Sequence, residues 1–443
     1  MSRPVPSAAA PAAAPNAAES TGWRYGLLGL PLAFVALPLY VNLPHHYAST
    51  FNVPLAGLGA VLLGARLFDA LIDPALGRWV DRLQAHSPRR LLAVCAAAAA
   101  VLALGLQALF MPWFSGSPGA LAVWALLMLL PTCTACSLLG MAHQGWGSRL
   151  GGDAVQRSRI VAWREGLGLL GVVLASVLPS VAGLPAMVGV CAAALALGWW
   201  AWWLSPWPPA TTTCATATTT QTPEADDRWR PWRHSAFRRL AGVYALNGMA
   251  SAVPATLVLF YIEDKLAAPA PWAGVLLGSY FLSAALAMPL WLRAVQHLGL
   301  ARSWALGMTL AIAAFAAAAV LGTGDAPWFV LVCLASGAAL GADLVLPPAL
   351  LAGVIAQAGD RGRHDGIYFG WWQVLTKLNL ALAAGAVLPL LAALGYTPGQ
   401  AEPQGLRMLG LAYAVLPCVL KAGAVLALYA TLIQPARALE ALP

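Results

Sequence analysis

The sequence predicts an all-α polytopic membrane protein with twelve transmembrane helices in two bundles of six. Three observations carry this prediction: the composition, the number of long apolar runs, and the alternation of basic residues along the chain. Hydrophobic residues make up 60% of the 443 residues and charged residues only 9%, against about 25% in soluble domains. This composition excludes an ordinary soluble enzyme.

The net charge of +8 does not indicate a nucleic-acid partner, because the 25 lysines and arginines are spread thinly over the whole chain. Seven cysteines without a regular spacing exclude a disulfide-rich scaffold. Cys133 and Cys136 have the spacing of a redox pair, but they lie in an apolar run and we interpret them as packing residues. The few charges therefore become the main source of information.

About twelve apolar runs, divided by proline, glycine and charged residues, are long enough to span a bilayer. A spanning helix needs roughly 20 mostly apolar residues. A run of this length is helical, because lipid offers no partner to unpaired backbone groups. The predicted spans are residues 24–43, 55–80, 90–113, 119–146, 160–182, 185–204, 238–262, 271–295, 300–322, 327–356, 366–394 and 405–432.

Two segments that do not fit the membrane show how the chain is divided. Residues 1–20 are rich in alanine and proline without the basic start of a signal peptide, which predicts a disordered cytoplasmic tail. Residues 206–235 combine proline, a threonine-rich stretch, acids and arginines, which predicts a flexible cytoplasmic linker. The linker separates an N-terminal six-helix bundle at 21–205 from a C-terminal bundle at 236–434, and residues 435–443 form a second cytoplasmic tail.

The basic residues predict the orientation of the helices. Nineteen of the 25 fall on one side of the predicted spans, whereas the opposite side receives only Lys265 and Arg407. Lysine and arginine accumulate in cytoplasmic loops, so both termini and the linker are predicted to be cytoplasmic, in a multi-pass protein of the cell inner membrane. The four remaining basic residues lie inside or at the edge of predicted helices: Arg66, Arg164, Lys377 and Lys421.

The second predicted helix carries three charges on one stripe. Asp69 and Asp73 are four residues apart and Arg66 precedes Asp69 by three, so all three project from one face. A charge at the bilayer centre costs at least about 2.5 kcal/mol and therefore needs a partner or a function. Two carboxylates against one guanidinium leave negative charge that suits a proton or a hard cation such as Na⁺. The alternative is a static ion-pair network, and no structural metal is predicted.

Other charged and polar residues are candidates for gating or substrate contact. Asp81 and Arg82 end the second predicted helix, where an ion-paired loop can act as a gate. Lys377 lies deep in the eleventh predicted helix on the same face as Gln373, so it either pairs with an acid of the other half or contacts substrate. Further candidates are Arg164, which adjoins Glu165, and Asp343 as ion-pair residues, and Trp372 and His143 as substrate contacts. For His143, the alternative is a hydrogen-bonded structural histidine.

Several motifs resemble those of a known family. They are LPLYVNLP at 37–44, ARLFDALIDPALG at 65–77, RSRIVAWR at 157–164, and DGIYFG at 365–370 leading to Lys377. Six plus six helices around a cytoplasmic linker resemble the major facilitator superfamily. The motifs resemble more specifically its glycoside–pentoside–hexuronide:cation symporter family, which is melibiose-permease-like.

The resemblance implies that Asp69 and Asp73 coordinate the coupling cation. It maps the family's other charges onto residues of three helices: Arg66, Arg164 and Lys377. The sequence departs from the family's pattern at Ile72, which replaces a polar residue before the second acid, and this loss of an oxygen ligand favours H⁺ over Na⁺. Helices one and four also lack the acids that bind a glycoside in sugar-transporting relatives, which argues against a galactoside-like substrate.

The expected function is secondary-active transport and not enzymatic catalysis. We expect symport of a small polar solute, with sugars as one class, coupled to H⁺ or Na⁺ by alternating access of the two halves. Proton-driven efflux and lysolipid transport on the same fold are the alternatives. A membrane-embedded enzyme is disfavoured because the few outer acids form no constellation, and a non-transporting sensor would tolerate substitution of Asp69 and Asp73. The expected partners are a small-molecule substrate and the lipid bilayer, with no cofactor, and the protein is expected to be a monomer.

Overall fold

A computed structural model describes most of the chain. The described residues are 22–51, 53, 55–113, 116–150, 153–207, 228–269, 271–396 and 402–434. Within these ranges the regular structure is helical, without β-strands. The predicted tails at 1–20 and 435–443, and residues 208–227 of the predicted linker, lie outside the described residues.

The helices of the N-terminal half follow the apolar runs of the sequence. They are α1 (Gly29–Phe34), α2 (Leu43–Phe51), α3 (Leu55–His86), α4 (Pro88–Phe110), α5 (Pro118–Leu150) and α6 (Ala154–Trp203). A π-helical segment, Pro38–Asn42, joins α1 to α2. Both α4 and α5 begin at a proline, where the missing N–H has no intrahelical partner to lose.

The long helix α6 contains two membrane spans. Gly183 breaks it, with φ at 81° and ψ at 170°, a conformation that residues with a side chain rarely adopt. The spans on either side are Ala154–Pro179 and Val181–Trp203. The break returns the chain across the bilayer close to the predicted border between 160–182 and 185–204.

The C-terminal half begins with a short helix at the end of the predicted linker. Its helices are α7 (Arg230–Arg233), α8 (Ser235–Phe260), α9 (Pro271–Leu298), α10 (Leu300–Ala318), α11 (Ala326–Gln357), α12 (Asp365–Ala393), α13 (Pro403–Gly410) and α14 (Leu416–Leu428). The π-helical turn Leu411–Val415 joins α13 to α14, so the chain from Pro403 to Ile433 forms one span.

Among the described residues, nine helical segments are long and apolar enough to cross a membrane. The other three of the twelve predicted spans are helical as well: the first contains α1 and the π-helical segment, and the other two contain most of α3 and of α12. The predicted all-α, multi-pass fold class is therefore confirmed. Two of these three, α3 and α12, carry the acids and the lysine that the sequence singled out.

The two halves meet closely where α3 crosses α12. A methyl group added to Gly77 would lie 2.2 Å from the carbonyl oxygen of Gly366, and one added to Gly370 would lie 2.8 Å from the carbonyl oxygen of Asp73. Small residues allow helix backbones to approach in this way. The α3–α12 crossing places the side chains of α12 directly beside the acids of α3.

Candidate cation and substrate site

Lys377 of the C-terminal half lies between the two acids of the N-terminal half. Its ammonium nitrogen is 2.5 Å from Oδ2 of Asp69 and 2.7 Å from Oδ2 of Asp73. Both aspartates are buried, with 3% and 0% of their surface exposed. Of the two roles that the sequence allowed for Lys377, the structure places it in the ion pair with acids of the other half.

Ser137 of α5 completes this cluster, and sequence reasoning did not include it. Its hydroxyl donates a hydrogen bond to Oδ1 of Asp69 at 2.8 Å. The Lys377 ammonium donates to the Ser137 hydroxyl at 3.0 Å, so its three N–H groups meet three different side chains. We call Asp69, Asp73, Ser137 and Lys377 the cation cluster.

The cation cluster keeps one carboxylate oxygen available. Among the described residues, Oδ1 of Asp73 is buried and has no hydrogen-bond partner. Buried polar atoms are nearly always partnered, so this oxygen is a place where a proton or a cation can bind. The cluster also carries one more negative than positive charge, with Arg66 partly buried one turn away on α3. The described residues hold no group of three or more His, Cys, Asp or Glu arranged as a metal site.

Three members of the cation cluster, Asp69, Ser137 and Lys377, line a cavity of about 250 Å³ between α1, α3, α5, α6 and α12. We call it the central cavity. Its polar lining includes Gln144 and five of the predicted site residues, which are Asp69, Lys377, Gln373, Arg164 and His143, together with Ser137 and Glu165. Leu32, Val35 and Leu39 contribute apolar lining. Residues distant in the sequence are thus brought to one polar chamber.

Arg164 lines the central cavity as half of an ion pair. Its guanidinium contacts the carboxylate of the next residue, Glu165, through both Nε and an amino group. Their side chains are 12% and 21% exposed. This pair brings a second set of charges to the chamber, where it can accept and donate hydrogen bonds to a solute.

His143 reaches the central cavity but its ring is engaged in packing. Nε2 lies 2.7 Å from the carbonyl oxygen of Tyr25, and because a carbonyl oxygen only accepts, Nε2 carries the proton. The Tyr25 hydroxyl donates to the His143 carbonyl oxygen at 2.9 Å, and the two rings stack at 4.1 Å. The imidazole is fully buried. These contacts correspond to the structural alternative for this histidine.

Trp372 and Asp343 are among the predicted site residues that do not line the central cavity. Trp372 stacks on Tyr244 with ring centroids 3.7 Å apart and is 4% exposed, so its ring packs within the C-terminal half and does not line the central cavity. Asp343 forms an ion pair with Lys421 at 2.8 Å, and this pair borders a different cavity.

Asp81 lies near the C-terminal end of α3, beside Arg82, and it connects the two halves. Its carboxylate accepts hydrogen bonds from the backbone N–H groups of Gly366, at 2.6 Å, and Ile367, at 3.0 Å. These are first-turn groups of α12, which have no partner within their own helix. Arg82, the next residue, is exposed. Asp81 therefore caps a helix of the other half instead of closing a local loop.

A second contact at this end was not predicted. Asp365 accepts from Nε of Arg149 at 3.0 Å and from the Ser148 hydroxyl at 2.9 Å, so the start of α12 is also held by the end of α5. Asp365 is fully buried. An acid at the first position of a helix is common, because it interacts favourably with the helix dipole. The sequence therefore provided no reason to expect that Asp365 contacts the other half.

Comparison with known proteins agrees with this architecture. A family model described as MFS/sugar transport protein matches residues 24–434. The chain belongs to this family. The predicted resemblance to the major facilitator superfamily is thus confirmed, and with it the expectation of a membrane transporter rather than an enzyme. No curated protein matches the chain significantly.

Solved structures share the MFS fold with this chain at low sequence identity. A bacterial homologue of the iron transporter ferroportin, in an outward-facing state, has a TM-score of 0.66 at 16% identity, covering 92% of this chain and 99% of that one. The E. coli fucose:proton symporter has a TM-score of 0.64 at 14% identity, covering 92% and 98%. The human organic anion transporter MFSD10 has a TM-score of 0.64 at 17% identity, covering 94% and 100%.

The position of the site between the two halves matches the position of binding sites in MFS transporters. In such transporters substrate and ion sites lie between the halves near the bilayer midplane, and access alternates as the halves rock. Here the acids belong to one half and Lys377 to the other. A change at the cation cluster therefore acts directly on the contact between the halves.

Proposed function

We propose that this MFS transporter is a cation-coupled symporter of a small polar solute, with H⁺ as the coupling ion in preference to Na⁺. The observation that carries the proposal is the ammonium of Lys377, which is held by Asp69 and Asp73 across the interface between the halves. The glycoside–pentoside–hexuronide:cation symporter resemblance assigns the same two acids to the coupling ion.

Coupling follows from competition between the ion and Lys377. The two carboxylates and the ammonium together carry one net negative charge, so one monovalent cation neutralises the cluster. A bound ion weakens the attraction of the acids for Lys377 and thereby changes the relative stability of the two conformations. An ion couples to transport only through such a difference in affinity between states.

The donor set supports a proton. The oxygens of the cation cluster come from two carboxylates and the Ser137 hydroxyl, and one of them, Oδ1 of Asp73, has no partner among the described residues. A proton needs one such oxygen, whereas a hard metal cation needs a larger shell of oxygen ligands. Ile72 contributes no side-chain oxygen at the position where the family pattern has a polar residue.

The central cavity supports a small polar substrate. Its volume of about 250 Å³ lies below the roughly 300–1,000 Å³ of sites for drug-sized ligands. Gln144, Gln373 and the Arg164–Glu165 pair offer hydrogen-bond donors and acceptors, as a hydroxyl-rich solute requires. We therefore favour a sugar-like solute, the class named by the family description, over the long acyl chain of a lysolipid.

The arginine distribution supports an orientation in the inner membrane with both termini on the cytoplasmic side. The α3–α12 crossing and the Asp81 bridge then lie at the cytoplasmic end. We propose that these contacts form the inner gate, that they separate during transport, and that the transporter works as a monomer.

The test is uptake by purified protein in proteoliposomes. A panel of radiolabelled monosaccharides, pentoses and glycosides is offered under an inward proton gradient, an inward Na⁺ gradient, or neither. We expect accumulation of one solute class under the proton gradient and its loss with a protonophore. Asp73→Asn should abolish accumulation, whereas Glu263→Gln, a carboxylate-to-amide change at an exposed outer residue, should leave it unchanged.

Three outcomes would each contradict a part of the proposal. Accumulation that persists in Asp73→Asn would remove the cluster from coupling. Solute movement out of the vesicles against its gradient, driven by inward protons, would identify efflux instead of symport. Accumulation under the Na⁺ gradient alone would retain symport and replace the ion.

A further inference from the structure

A second cavity lies inside the C-terminal half, between α8, α9, α10, α11 and α14. Its volume is about 150 Å³, and none of its lining residues also lines the central cavity. Four aromatic side chains stand in its wall: Tyr280, Phe281, Phe315 and Tyr413. We call it the C-half cavity. Neither the proposed coupling nor the proposed substrate site uses it.

A closed ion pair borders the C-half cavity. The Lys421 ammonium donates to Oδ2 of Asp343 at 2.8 Å and to the side-chain oxygen of Asn247 at 2.7 Å. The Asn247 amide group donates in turn to Oδ1 of Asp343 at 3.0 Å. The Lys421 side chain is 2% exposed and that of Asp343 12%. The pair is electrically neutral, so the cavity offers no net charge to a ligand.

In this ion pair the acceptor oxygens of Asp343 are all used, whereas Lys421 keeps one N–H group without a partner among the contacts described above. Besides Lys421 and Asn247, the carboxylate of Asp343 accepts from the Trp304 indole at 2.9 Å and from the Ser251 hydroxyl at 3.3 Å. Four donors occupy its two oxygens. The ammonium of Lys421 has three N–H groups, of which Asp343 and Asn247 take two. The polar end of the cavity therefore has a donor to offer at Lys421, whereas the carboxylate of Asp343 is already occupied by four donors.

We propose that the C-half cavity is a second binding site, for a neutral molecule that combines an aromatic or alicyclic ring with one hydroxyl or carbonyl oxygen. The ring lies among the four aromatic side chains, and the oxygen accepts the third N–H of Lys421. An ammonium-bearing ligand finds no acceptor at Asp343. A carboxylate would add an uncompensated charge to a buried neutral pair, which is costly.

The test uses a diazirine-bearing benzyl alcohol as a photoreactive probe on the full-length protein in lipid vesicles. After illumination, mass spectrometry locates the labelled residues. We expect label on Tyr280, Phe281 and Tyr413, displaced by excess benzyl alcohol but not by benzylammonium or benzoate. Label spread over the lipid-facing residues, or equal displacement by the charged analogues, would overturn the proposal.

Matched variants test the location and the donor. Ser336 lines the cavity, and its hydroxyl donates to the carbonyl oxygen of Val332 in its own helix, so it can be replaced without leaving a partner unpaired. Ser336→Leu fills the cavity and should reduce the label to background, whereas Ser336→Ala leaves it open and should not. The paired change Lys421→Met with Asp343→Asn removes the donor and should weaken competition by benzyl alcohol about fivefold.

The filling variant and the paired variant each test whether the probe binds in the C-half cavity. If Ser336→Leu does not fold, Ala339→Leu fills the same space from the next turn of α11. Label that is unchanged in a folded filling variant, or competition that is unchanged in the paired variant, would contradict the site. None of these measurements depends on transport, so they stand or fall separately from the proposed symport.

Discussion

Lys377 has three N–H groups, and each meets a side chain of the opposite half: Asp69, Asp73 and Ser137. An isolated ammonium or carboxylate would be costly at this depth in a membrane. Together the three charges lower this cost for one another, and one carboxylate oxygen remains without a partner. Lys377 thus supplies the positive charge of the cation cluster, and under the proposed coupling an entering ion would compete with it.

Lys377→Met should destabilise the protein strongly, because it leaves two buried carboxylates four residues apart without their shared cation. Removing one partner of a buried pair costs about 3–5 kcal/mol. Thermal unfolding in detergent measures this as a lowered Tm. Adding Asp69→Asn and Asp73→Asn removes both orphaned charges and should restore most of the lost Tm. A Tm unchanged by Lys377→Met would show that the acids do not depend on the lysine.

Part of this site could be predicted from the sequence. Helical periodicity puts Asp69 and Asp73 on one face, and a lysine inside a membrane helix calls for an acid. Ser137 could not be predicted, because a hydroxyl in an apolar helix usually bonds its own backbone. The pairing of Asp343 with Lys421 was equally hidden, since charge balance requires partners but only tertiary packing selects them.

At the scale of whole elements, α3 and α12 make the most extensive helix–helix contact between the halves. Gly77 and Gly366 bring the two backbones together, and Asp81 of α3 caps the first turn of α12. The cation cluster lies along the same two helices, beyond Gly370. Separation of α3 from α12 would therefore break the backbone contact, the cap and the ion pair together.

Gly77→Ala should prevent full closure at the α3–α12 crossing, because the added methyl would lie 2.2 Å from a backbone carbonyl oxygen that cannot move aside. Spin labels at the exposed residues Arg89 and Arg363, in a background without other reactive cysteines, report the distance between the halves. We expect a longer distance in the variant. Gly278→Ala is the control, since a methyl there meets no atom within 4 Å. Identical distance distributions in both variants would contradict the role of the crossing.

Asp81→Ala should loosen the start of α12. The change removes the acceptor for two first-turn N–H groups, and loss of a helix cap costs about 0.5–2 kcal/mol. Hydrogen exchange of the peptide that contains Gly366 and Ile367 should become about tenfold faster. Asp81→Asn keeps one acceptor oxygen and should lie between the two. Exchange that stays at the wild-type rate in Asp81→Ala would mean that the cap is not needed for closure.

The two halves of the molecule are bridged at the arginine-rich end by Asp81 and Asp365. The end of the predicted linker belongs mechanically to the C-terminal half, since Arg230 of α7 pairs with the buried Asp360 at 2.8 Å. Asp360 also accepts from the Tyr368 hydroxyl at 2.8 Å. α7 is thus attached to the segment between α11 and α12.

The multi-pass fold could be predicted from the sequence because lipid permits few backbone solutions, so long apolar runs indicate helices. The exact ends of the helices were harder to predict from the sequence. The turn at Gly183 depends on one backbone conformation, and α3 extends to His86, beyond its apolar run, because its last turns pack against the other half.

The orientation of the whole molecule gives the last prediction. Arginine-rich loops remain in the cytoplasm during insertion, so the chain end and the linker should both be cytoplasmic, and the segment after Lys265 should be external. Green fluorescent protein fused at the C-terminus or after Ser235 should fluoresce in a bacterial host. Alkaline phosphatase should be active when fused after Ala268 and inactive at the other two sites. The reverse pattern would show the opposite orientation. The α3–α12 crossing would then lie at the outer end, where it would gate entry from outside.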